Sequence, residues 1–450
     1  MAQKDKTKKK LQRKRSVNPK DEHTHQNLGF CYKEQGELDK AMDEFKRVLK
    51  INPKSGQGHL GIGFCYYEQR QIEMAMDEFN QAVKSDPQNE HAYHGLGLCY
   101  QYDRKFDKAI HEFKKALAIN PDNGYALQDL GYCYERLKQY DKAVEEVRKA
   151  LKVNPKNEYA HIILGFCFKE LKQFDKAIDE LKQALEINPE SLHCHLGFGF
   201  CYYEQRLIDK AINEFSQVMK LDPRNEHARH GLGLCYQHNK QFDKALGEFT
   251  KVLEINPDNE YARRDIGFTY KNMKQYKNAI VELRKAAIEN PQNMCIHRSL
   301  GFCYKELEQF NKAIDEFKEV LGIDPDNEYA LQDLGYCYER LKQYDKAIVE
   351  LQKVLKVNPR NEHALRSLGF CYRDLKQYDK AIEVLNKGLE VNPRNEYIHQ
   401  GLGHCFEILR QFDKAINEFT KVLEINQDNK SASRCLESCY KSYSRKAEKK

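Results

Sequence analysis

The sequence predicts an all-α protein built from about twelve copies of one helix-turn-helix unit. The first observation behind this prediction is proline spacing: the 450-residue chain has 12 prolines, and they follow one another every 34 residues from Pro19 to Pro393. Glycine at the eighth position and alanine at the twentieth position of each unit recur with the same period, starting at Gly29 and Ala41. A fixed period of this length is typical of a repeat array rather than of several unrelated domains.

The unit that begins at Glu158 shows how each repeat is expected to fold. Apolar residues recur at helical spacing in both halves: Ile163, Leu164, Cys167 and Phe168 in the first half, and Ala177, Ile178, Leu181, Ala184 and Leu185 in the second. We expect Asn157 to cap the first helix, Asp175 to cap the second, and Pro189 to block its continuation. The small glycine and alanine positions should let the paired helices approach closely, and stacked units should share a core.

Counting 34-residue units from Glu22 divides the chain into three parts. Residues 22–429 form the twelve repeats, residues 1–21 form a basic arm that we expect to be flexible, and residues 430–450 form a capping helix and a basic tail. The formal net charge of +6 comes from the two ends. Nine basic and two acidic residues give residues 1–21 a charge of +7, and seven basic and two acidic residues give residues 430–450 a charge of +5. The repeats themselves are therefore mildly acidic.

The repeated positions resemble the tetratricopeptide repeat family over residues 22–429. In the first repeat the matching residues are Leu28, Gly29, Tyr32, Ala41, Phe45, Val48 and Pro53. The family's frequent tryptophan early in the first helix is absent, and its place is taken by residues such as His25, His161 and Arg229. The resemblance implies a right-handed superhelical α-solenoid, in which the first helices of the repeats line a concave groove for peptides or partner proteins.

If the first helices face such a groove, their second and fifth positions should be exposed there. Tyrosine and histidine dominate the second position, and arginine appears at the fifth position in the second half of the chain. The candidate partner-binding residues are His91, Tyr125, Tyr159, His193, His227, Tyr261, Arg264, Arg298, Tyr329, His363, Arg366 and Tyr397. Aromatic rings supply contact area at low entropic cost, and guanidinium groups suit carboxylates.

Two structural alternatives stay open for these surfaces. The aromatic residues of the ninth position, such as Phe166, pack between helices in one alternative and contact a ligand in the other. The arginines of the fifth position form ion pairs with neighbouring glutamates in one alternative and bind an acidic ligand in the other. Nearly identical segments, such as residues 94–101 and 230–237, suit a repetitive ligand but are also explained by duplication alone.

The sequence therefore predicts a non-enzymatic scaffold for protein–protein interaction, which binds extended peptides or partner proteins in a groove lined by aromatic and histidine side chains. An alternative is a co-chaperone-like adaptor that grips acidic peptides or C-termini through the region of Arg264 and Arg298. Only Asn27 matches an asparagine position of the chaperone-binding members, so that specific activity is not transferred. A nucleic-acid-associated protein that uses its basic ends is the less favoured alternative, and self-association stays open.

Several classes of function lack a signal in the sequence. There is no phosphate-binding glycine loop, HExxH, GxSxG or paired-carboxylate motif, and the repeats leave no room for a catalytic domain. We therefore predict no enzyme, no catalytic residue and no cofactor. No apolar run is long enough for a membrane span or a secretory signal, so the expected location is the cytoplasm, or the nucleus in a eukaryote.

The cysteines are predicted to be small buried residues. Twelve of the 15 occupy one register from Cys31 to Cys439, and Thr269 stands where that register lacks one. Equivalent points on successive repeats lie roughly 8 to 10 Å apart, which is too far for a disulfide or a shared zinc ion. Cys194 and Cys295 are expected to face the groove. Cys435 and Cys439 lie one turn apart near His404 and Cys405, but without a CxxC pair no metal site is predicted.

Overall fold

The computed structural model describes residue 18 and residues 20–447, and this part of the chain contains 25 α-helices and no strand. The chain divides after Gly231 into two compact units. The first unit holds α1 (Glu22–Glu34), α2 (Leu38–Ile51), α3 (Gly56–Glu68), α4 (Ile72–Ser85), α5 (Glu90–Tyr102), α6 (Phe106–Ile119), α7 (Gly124–Arg136), α8 (Tyr140–Val153), α9 (Glu158–Glu170), α10 (Phe174–Ile187), α11 (Leu192–Glu204) and α12 (Ile208–Leu221). The second holds α14 (Phe242–Ile255), α15 (Glu260–Asn272), α16 (Tyr276–Glu289), α17 (Met294–Glu306), α18 (Phe310–Ile323), α19 (Glu328–Arg340), α20 (Tyr344–Val357), α21 (Glu362–Asp374), α22 (Tyr378–Val391), α23 (Glu396–Ile408), α24 (Phe412–Ile425) and α25 (Lys430–Ala447), and α13 (Glu226–His238) has residues in both.

The helices alternate between two kinds that repeat along the chain. Each first helix, such as α9, has 13 residues, and each second helix, such as α10, has 14. The starts of the first helices are 34 residues apart from Glu22 to Glu396. Each first helix packs against the second helix that follows it, for example α9 against α10. The predicted all-α repeat fold is therefore confirmed.

The repeated glycine makes room for one large apolar side chain from the second helix. A Cβ atom on Gly29 would lie 2.6 Å from the ring of Phe45, and a Cβ atom on Gly61 would lie 2.4 Å from the same ring. Phe45 is fully buried, so its ring occupies the space between two successive first helices. Phe79 has the same relation to Gly63 and Gly95. Close packing of one ring against two glycines thus joins neighbouring repeats.

The helix N-termini confirm one predicted cap and correct another. The side chain of Asn157 accepts a hydrogen bond from the backbone N–H of Ala160 at 3.2 Å, as an N-cap residue should. Asp175 does not cap the second helix, because that helix begins at Phe174 after Gln173, whose side chain makes no capping hydrogen bond. Asp175 lies instead in the first turn, where its negative charge is favoured by the helix dipole.

The turn between the two helices of each repeat contains a residue with positive φ. Gly36 has φ +74° in the first repeat. The other repeats place a non-glycine residue there, with φ between 55° and 62°: Arg70, Arg104, Lys138, Lys172, Arg206, Lys240, Lys274, Glu308, Lys342, Lys376 and Arg410. The backbone N–H of Glu37 donates to the carbonyl of Tyr32, and the N–H of Gly36 donates to that of Lys33. This pattern ends the first helix in a Schellman motif.

A polar pair links the two helices of six repeats, fully buried in two of them and partly buried in the other four, and no pattern in the sequence predicted it. The histidine that replaces the family's tryptophan lies 2.5 to 2.7 Å from a glutamate 19 residues later. The pairs are His25 with Glu44, His59 with Glu78, His161 with Glu180, His195 with Glu214, His297 with Glu316 and His399 with Glu418. In His161 the other ring nitrogen lies 3.1 Å from the carbonyl oxygen of Pro155. Acceptors at both nitrogens favour the protonated ring.

The two ends of the chain differ in what the structure describes. Most of the predicted basic arm at residues 1–21 lies outside the described residues, as do residues 448–450 of the predicted tail. Helix α25 packs against α24 and buries Ala432 and Cys439. Within the described range, no helix combines the length and the apolar character that crossing a lipid bilayer requires.

Candidate partner-binding site

The second residue of every first helix is exposed, including each tyrosine and histidine of the predicted site. Among the tyrosines, the exposed fraction ranges from 40% for Tyr159 to 73% for Tyr125. The position lies one residue after the helix begins, so its side chain points away from the partner helix that buries the third residue, such as Ala126 or Ala160. These rings are consequently available to a ligand without any change in the fold.

In the first unit, three of the predicted residues line one cavity of about 440 Å³. Tyr159, His193 and His227 come from three successive first helices, α9, α11 and α13. Its apolar floor includes Ile162 and Phe166. The cavity therefore combines an apolar surface with polar groups on its rim, which is the composition typical of a ligand site.

The phenol groups at this cavity are neutral hydrogen-bonding groups. The ring of Tyr159 lies 6.1 Å from that of Tyr132, centroid to centroid. Burial raises the pKa of both tyrosines above the usual value. Both groups thus keep their protons at physiological pH and can donate hydrogen bonds to a peptide carbonyl.

His91 and Tyr125 lie together at a second cavity of the first unit, which has a volume of about 300 Å³. Asparagines surround them, including Asn120, Asn154 and the N-cap residue Asn123. We call the exposed residues His91, Tyr125, Tyr159, His193 and His227 the ring surface of the first unit. It carries phenol and imidazole rings, and the carboxylates of Glu90 and Asp122 also line the cavity at Tyr125.

In the second unit, three predicted arginines contact tyrosines of the second position. The guanidinium carbon of Arg264 lies 5.4 Å from the ring centroid of Tyr261. Arg298 and Arg366 reach forward to the next repeat, where they lie 5.9 Å from the ring of Tyr329 and 5.6 Å from that of Tyr397, respectively. We call the following residues the arginine–tyrosine surface of the second unit: Tyr261, Arg264, Arg298, Tyr329, His363, Arg366 and Tyr397.

The arginines differ in whether they form ion pairs. Arg264 pairs with the buried Asp265 at 2.9 Å, so part of the ion-pair alternative holds, although the partner is an aspartate of its own helix. Arg298 is exposed, and no carboxylate in the described part of the chain lies within 4.0 Å of its guanidinium nitrogens. Arg366 is half-buried, and no carboxylate in the described residues lies within 4.0 Å of its guanidinium nitrogens either. Arg298 and Arg366 thus have free donors for an acidic ligand.

Lys271 strengthens the positive potential beside Arg298. Its ammonium donates to the hydroxyl of Ser299 at 3.3 Å and lies 5.3 Å from the ring centroid of Phe268. Burial lowers the pKa of Lys271, and the charge of Arg298 lowers it further. An approaching carboxylate would relieve this repulsion, so the two cations together favour an anionic group.

His363 and Arg366 share a third cavity, with a volume of about 330 Å³. Lys305 and Asp333 also line it, and they form an ion pair at 2.7 Å. Its walls are more polar than those of the cavity at Tyr159, since they include Gln332 and Ser367. The charge of this cavity is therefore mixed.

The aromatic residues of the ninth position mostly serve packing. Phe30, Phe64 and Phe200 each make edge-to-face contact with the phenylalanine of the second helix, with ring centroids 5.0 Å apart. They are only half-buried, so each also leaves one edge accessible. Packing between helices is thus observed at this position, and contact with a ligand stays a prediction.

The cysteines behave as small buried residues, with one correction. Of the twelve in the common register, all are buried except the half-buried Cys31, and burial raises the pKa of thiols such as Cys133 to about 12. Thr269 replaces one of them, and its hydroxyl donates to the carbonyl of Asp265 at 2.6 Å. Cys295 is exposed as expected, but Cys194 is buried because it occupies the third position of its helix, which faces the core.

Comparison with known families covers most of the chain. The tetratricopeptide repeat family matches residues 32–97, 102–165, 204–266, 272–330, 305–368 and 341–405. A second family described as tetratricopeptide repeat matches residues 397–429, and the family described as anaphase-promoting complex, cyclosome, subunit 3 matches residues 139–218. No curated protein matches the chain.

Solved structures show a similar fold at low sequence identity. The hetero-tetramer of Cut9 and Hcn1 from the APC/C is 16% identical, covers 97% of this chain and 93% of that chain, and has a TM-score of 0.50. A tetratricopeptide repeat protein from Parabacteroides merdae is 18% identical over 55% of this chain and 98% of that chain, with a TM-score of 0.47. YrrB, described as having an unusual peptide-binding site, is 24% identical over 41% of this chain and 95% of that chain, with a TM-score of 0.34. At these identities the likeness concerns the fold alone.

Proposed function

The chain belongs to the tetratricopeptide repeat family, and on that premise we propose that it is a non-enzymatic scaffold that binds extended peptides or partner proteins through the first helices of its repeats. The observation that carries this proposal is the exposure of the second position in every first helix. Nine of these positions belong to the two surfaces, and each of the nine is a tyrosine or a histidine. Rings of this kind dominate the energetics of protein interfaces.

The cavity at Tyr159 supports an extended ligand in the first unit. Its lining comes from four successive first helices, α7, α9, α11 and α13, so a bound chain would run across the repeats rather than into one of them. An extended peptide exposes alternate side chains and free backbone groups along its length. The apolar floor would accept an apolar side chain, and the phenols and imidazoles of the rim would bind peptide carbonyls.

A direct test is peptide selection on the purified full-length protein, followed by affinity measurement with the selected peptides. The variant Tyr159→Ala with His193→Ala removes two residues of the cavity rim. The matched control is Met74→Ala, which removes an exposed apolar residue from the second helix α4. We expect the cavity variant to weaken binding by about tenfold or more, because an interface hot spot is worth 2 kcal/mol or more, and the control to bind as the wild type does.

Two results would contradict the proposal that extended peptides bind to the first helices. Peptides that bind the wild type, the cavity variant and Met74→Ala with the same affinity do not use the ring surface of the first unit. A selection that yields no binding peptide at micromolar concentration argues against extended peptides as ligands. Circular dichroism of each variant ensures that an affinity change is not a loss of helix.

A second proposal concerns acidic ligands, and the absence of ion pairs at Arg298 and Arg366 in the described chain favours it. Acidic peptides or free C-termini would place a carboxylate between Arg298 and Lys271, beside the ring of Tyr329. Arginine forms two parallel hydrogen bonds with a carboxylate in such a site. Nucleic acid is the less favoured ligand for this surface, since Asp265, Asp333 and Asp374 accompany the basic residues.

The acidic-ligand proposal is tested by fluorescence anisotropy with two peptides that differ only in Glu-to-Gln changes. We expect Arg298→Glu to abolish the preference for the acidic peptide, whereas Arg284→Glu, an exposed arginine on the second helix α16, leaves it intact. Binding should also weaken as salt rises, because an exposed charge pair is screened. Equal loss in both variants would mean that only net charge matters, and no preference in the wild type would overturn the proposal.

A further inference from the structure

One cluster of metal-binding residue types stands apart from the partner-binding surfaces. His404, Glu407 and Cys435 each offer one donor atom, and the three atoms lie within 4.8 Å of one another. Nδ1 of His404 lies 3.6 Å from the carboxylate of Glu407. In the described part of the chain, this is the only group of three or more histidine, cysteine or acidic side chains with such spacing. It joins α23 of the last repeat to α25, the C-terminal helix.

Two of the three residues, His404 and Cys435, depart from the repeat pattern at their positions. The ninth position of the first helix is Phe, Tyr or Leu in the other eleven repeats, but it is His404 in the last. The sixth position holds glycine, aspartate, serine, asparagine or isoleucine in the repeats, and Cys435 occupies it in α25. Glu407 stands at the twelfth position, which is lysine or arginine in five repeats and glutamate in two others. Repeat duplication alone does not explain the presence of both His404 and Cys435 beside this glutamate.

We propose that His404, Glu407 and Cys435 bind a zinc ion that fastens the C-terminal helix α25 to the last repeat. Imidazole, carboxylate and thiolate are the three donor types that zinc takes from proteins, and their mixture with sulfur disfavours magnesium and calcium. Three protein ligands leave one tetrahedral position for water. Binding replaces the proton of the Cys435 thiol, which passes to solvent, so uptake of one zinc ion releases one proton at neutral pH.

The surroundings of the cluster support a bound cation. The ring of His404 makes edge-to-face contact with Phe419, with centroids 5.3 Å apart, and this contact fixes the plane of the imidazole. Glu407 has no lysine or arginine within 4.0 Å in the described part of the chain. Arg373 pairs with Asp374 at 2.8 Å, and Nε of Arg434 donates to the carbonyl of Lys430 at 3.2 Å.

Cys439 lies one helical turn beyond Cys435 on α25 and is fully buried, and the cluster of three donor atoms does not include it. The three ligands themselves are half-buried, so an ion can enter from solvent.

The experiment uses the full chain, freed of metal with a chelator and titrated with Co²⁺ as a spectroscopic probe and with Zn²⁺ in competition. Two variants remove ligands: Cys435→Ser, and His404→Phe, which restores the ring that most other repeats carry and so should preserve packing. The matched control is Cys295→Ser, which removes the exposed cysteine outside the cluster. Circular dichroism and thermal unfolding without metal establish that each variant is folded.

We expect the wild type and Cys295→Ser to bind a single Co²⁺ per chain, with the near-ultraviolet charge-transfer absorption of a cobalt–thiolate bond, and Zn²⁺ to displace it. Cys435→Ser should lose the charge-transfer band. His404→Phe should bind Co²⁺ at least about 10-fold more weakly than the wild type. Zinc should raise the unfolding temperature of the wild type but not that of Cys435→Ser. No stoichiometric binding by the folded wild type, or binding unchanged in both ligand variants, would overturn the proposal, and neither result bears on peptide binding.

Discussion

Histidine takes the place of the family's tryptophan at one position of the first helix, and at His161 this makes the stability of the repeat depend on proton binding. The ring of His161 is buried, one nitrogen meets Glu180 at 2.7 Å, and the other meets the carbonyl of Pro155 at 3.1 Å. The hydrogen bond with Glu180 raises the pKa of His161, and the carbonyl of Pro155 adds to the effect although burial opposes it. The family's tryptophan would pack in this place without titrating.

The pH dependence follows from the direction of that shift. Because the pKa of His161 is higher in the folded state, its contribution to stability is fully present below its unfolded pKa of about 6.5 and is lost as pH rises through the folded value. We therefore expect the wild type to unfold at a higher urea concentration than His161→Gln at about pH 6, and this difference in unfolding midpoint to become smaller as the pH rises to about 9. His193→Gln, at an exposed histidine, should show little difference at any pH. A midpoint difference that grows with pH would contradict this account.

The positive-φ turn residue supplies a second prediction at the residue scale. Gly36 adopts φ +74° without strain, whereas a side chain there is strained, even though nothing lies within 4 Å of its Cβ position. Gly36→Lys should therefore lower stability by about 1 kcal/mol, and Lys342→Gly should raise it by a comparable or smaller amount. Thermal unfolding of both variants checks the pair. Changes of the same sign in both would show that the turn geometry does not decide stability.

At the scale of the helix pair, the central contact is between the repeated glycine of the first helix and a large apolar side chain of the second helix. A Cβ atom on Gly233 would lie 2.4 Å from the ring of Phe249, which is fully buried and cannot move away. Gly247, on the partner helix α14, is exposed and has nothing within 4 Å of its Cβ position. The same helix pair thus contains one glycine that has no room for a side chain, Gly233, and one that has ample room, Gly247.

Alanine substitution separates the two roles. Gly233→Ala should destabilise the protein by about 1 to 3 kcal/mol, since an added methyl group overpacks a filled core. Gly247→Ala should stabilise it by about 0.5 to 1 kcal/mol, because glycine is unfavourable inside a helix. Chemical denaturation followed by circular dichroism measures both. If Gly233→Ala is neutral, the glycine is not there to admit the ring of Phe249.

Much of each helix pair could be predicted from the sequence, and the failures have physical causes. The 34-residue period and the apolar spacing predicted both helices of each repeat, and Asn157 was identified as a cap from its residue type. Asp175 was assigned wrongly as a cap, because Gln173 ends the turn without a capping side chain. The positive φ of Lys172 had no signal, since a lysine in that conformation looks like any other surface residue.

The candidate site was predictable in position but not in electrostatics. Its exposed tyrosines and histidines follow from their place near the start of the first helix, which the period alone defines. Which arginines form ion pairs depends on side-chain directions, so Asp265 was missed as the partner of Arg264. Glu407 was missed beside His404 and Cys435 for the same reason, since the residues come from two helices that only the folded structure brings together.

At the scale of the whole molecule, one repeat has been varied at a few exposed positions while its packing positions stay constant. The alanine at position twenty is fully buried in all twelve repeats, whereas the second and fifth positions change between the first and second units. The first unit presents tyrosine and histidine, and the second adds Arg264, Arg298 and Arg366. Each unit therefore offers a different chemistry on the same framework, and we expect them to prefer different ligands.

The central claim is that partners bind to the first helices of the repeats. Its most direct measurement is site-specific photo-crosslinking of a bound peptide to benzoylphenylalanine placed at Tyr159, at Tyr329 or at Ile288, the last being an 80% exposed residue of the second helix α16. We expect crosslinks from the positions of Tyr159 and Tyr329 that an excess of unlabelled peptide suppresses, and none from the position of Ile288. Suppressible crosslinks from the position of Ile288 alone would place the ligand on the second helices and contradict the account.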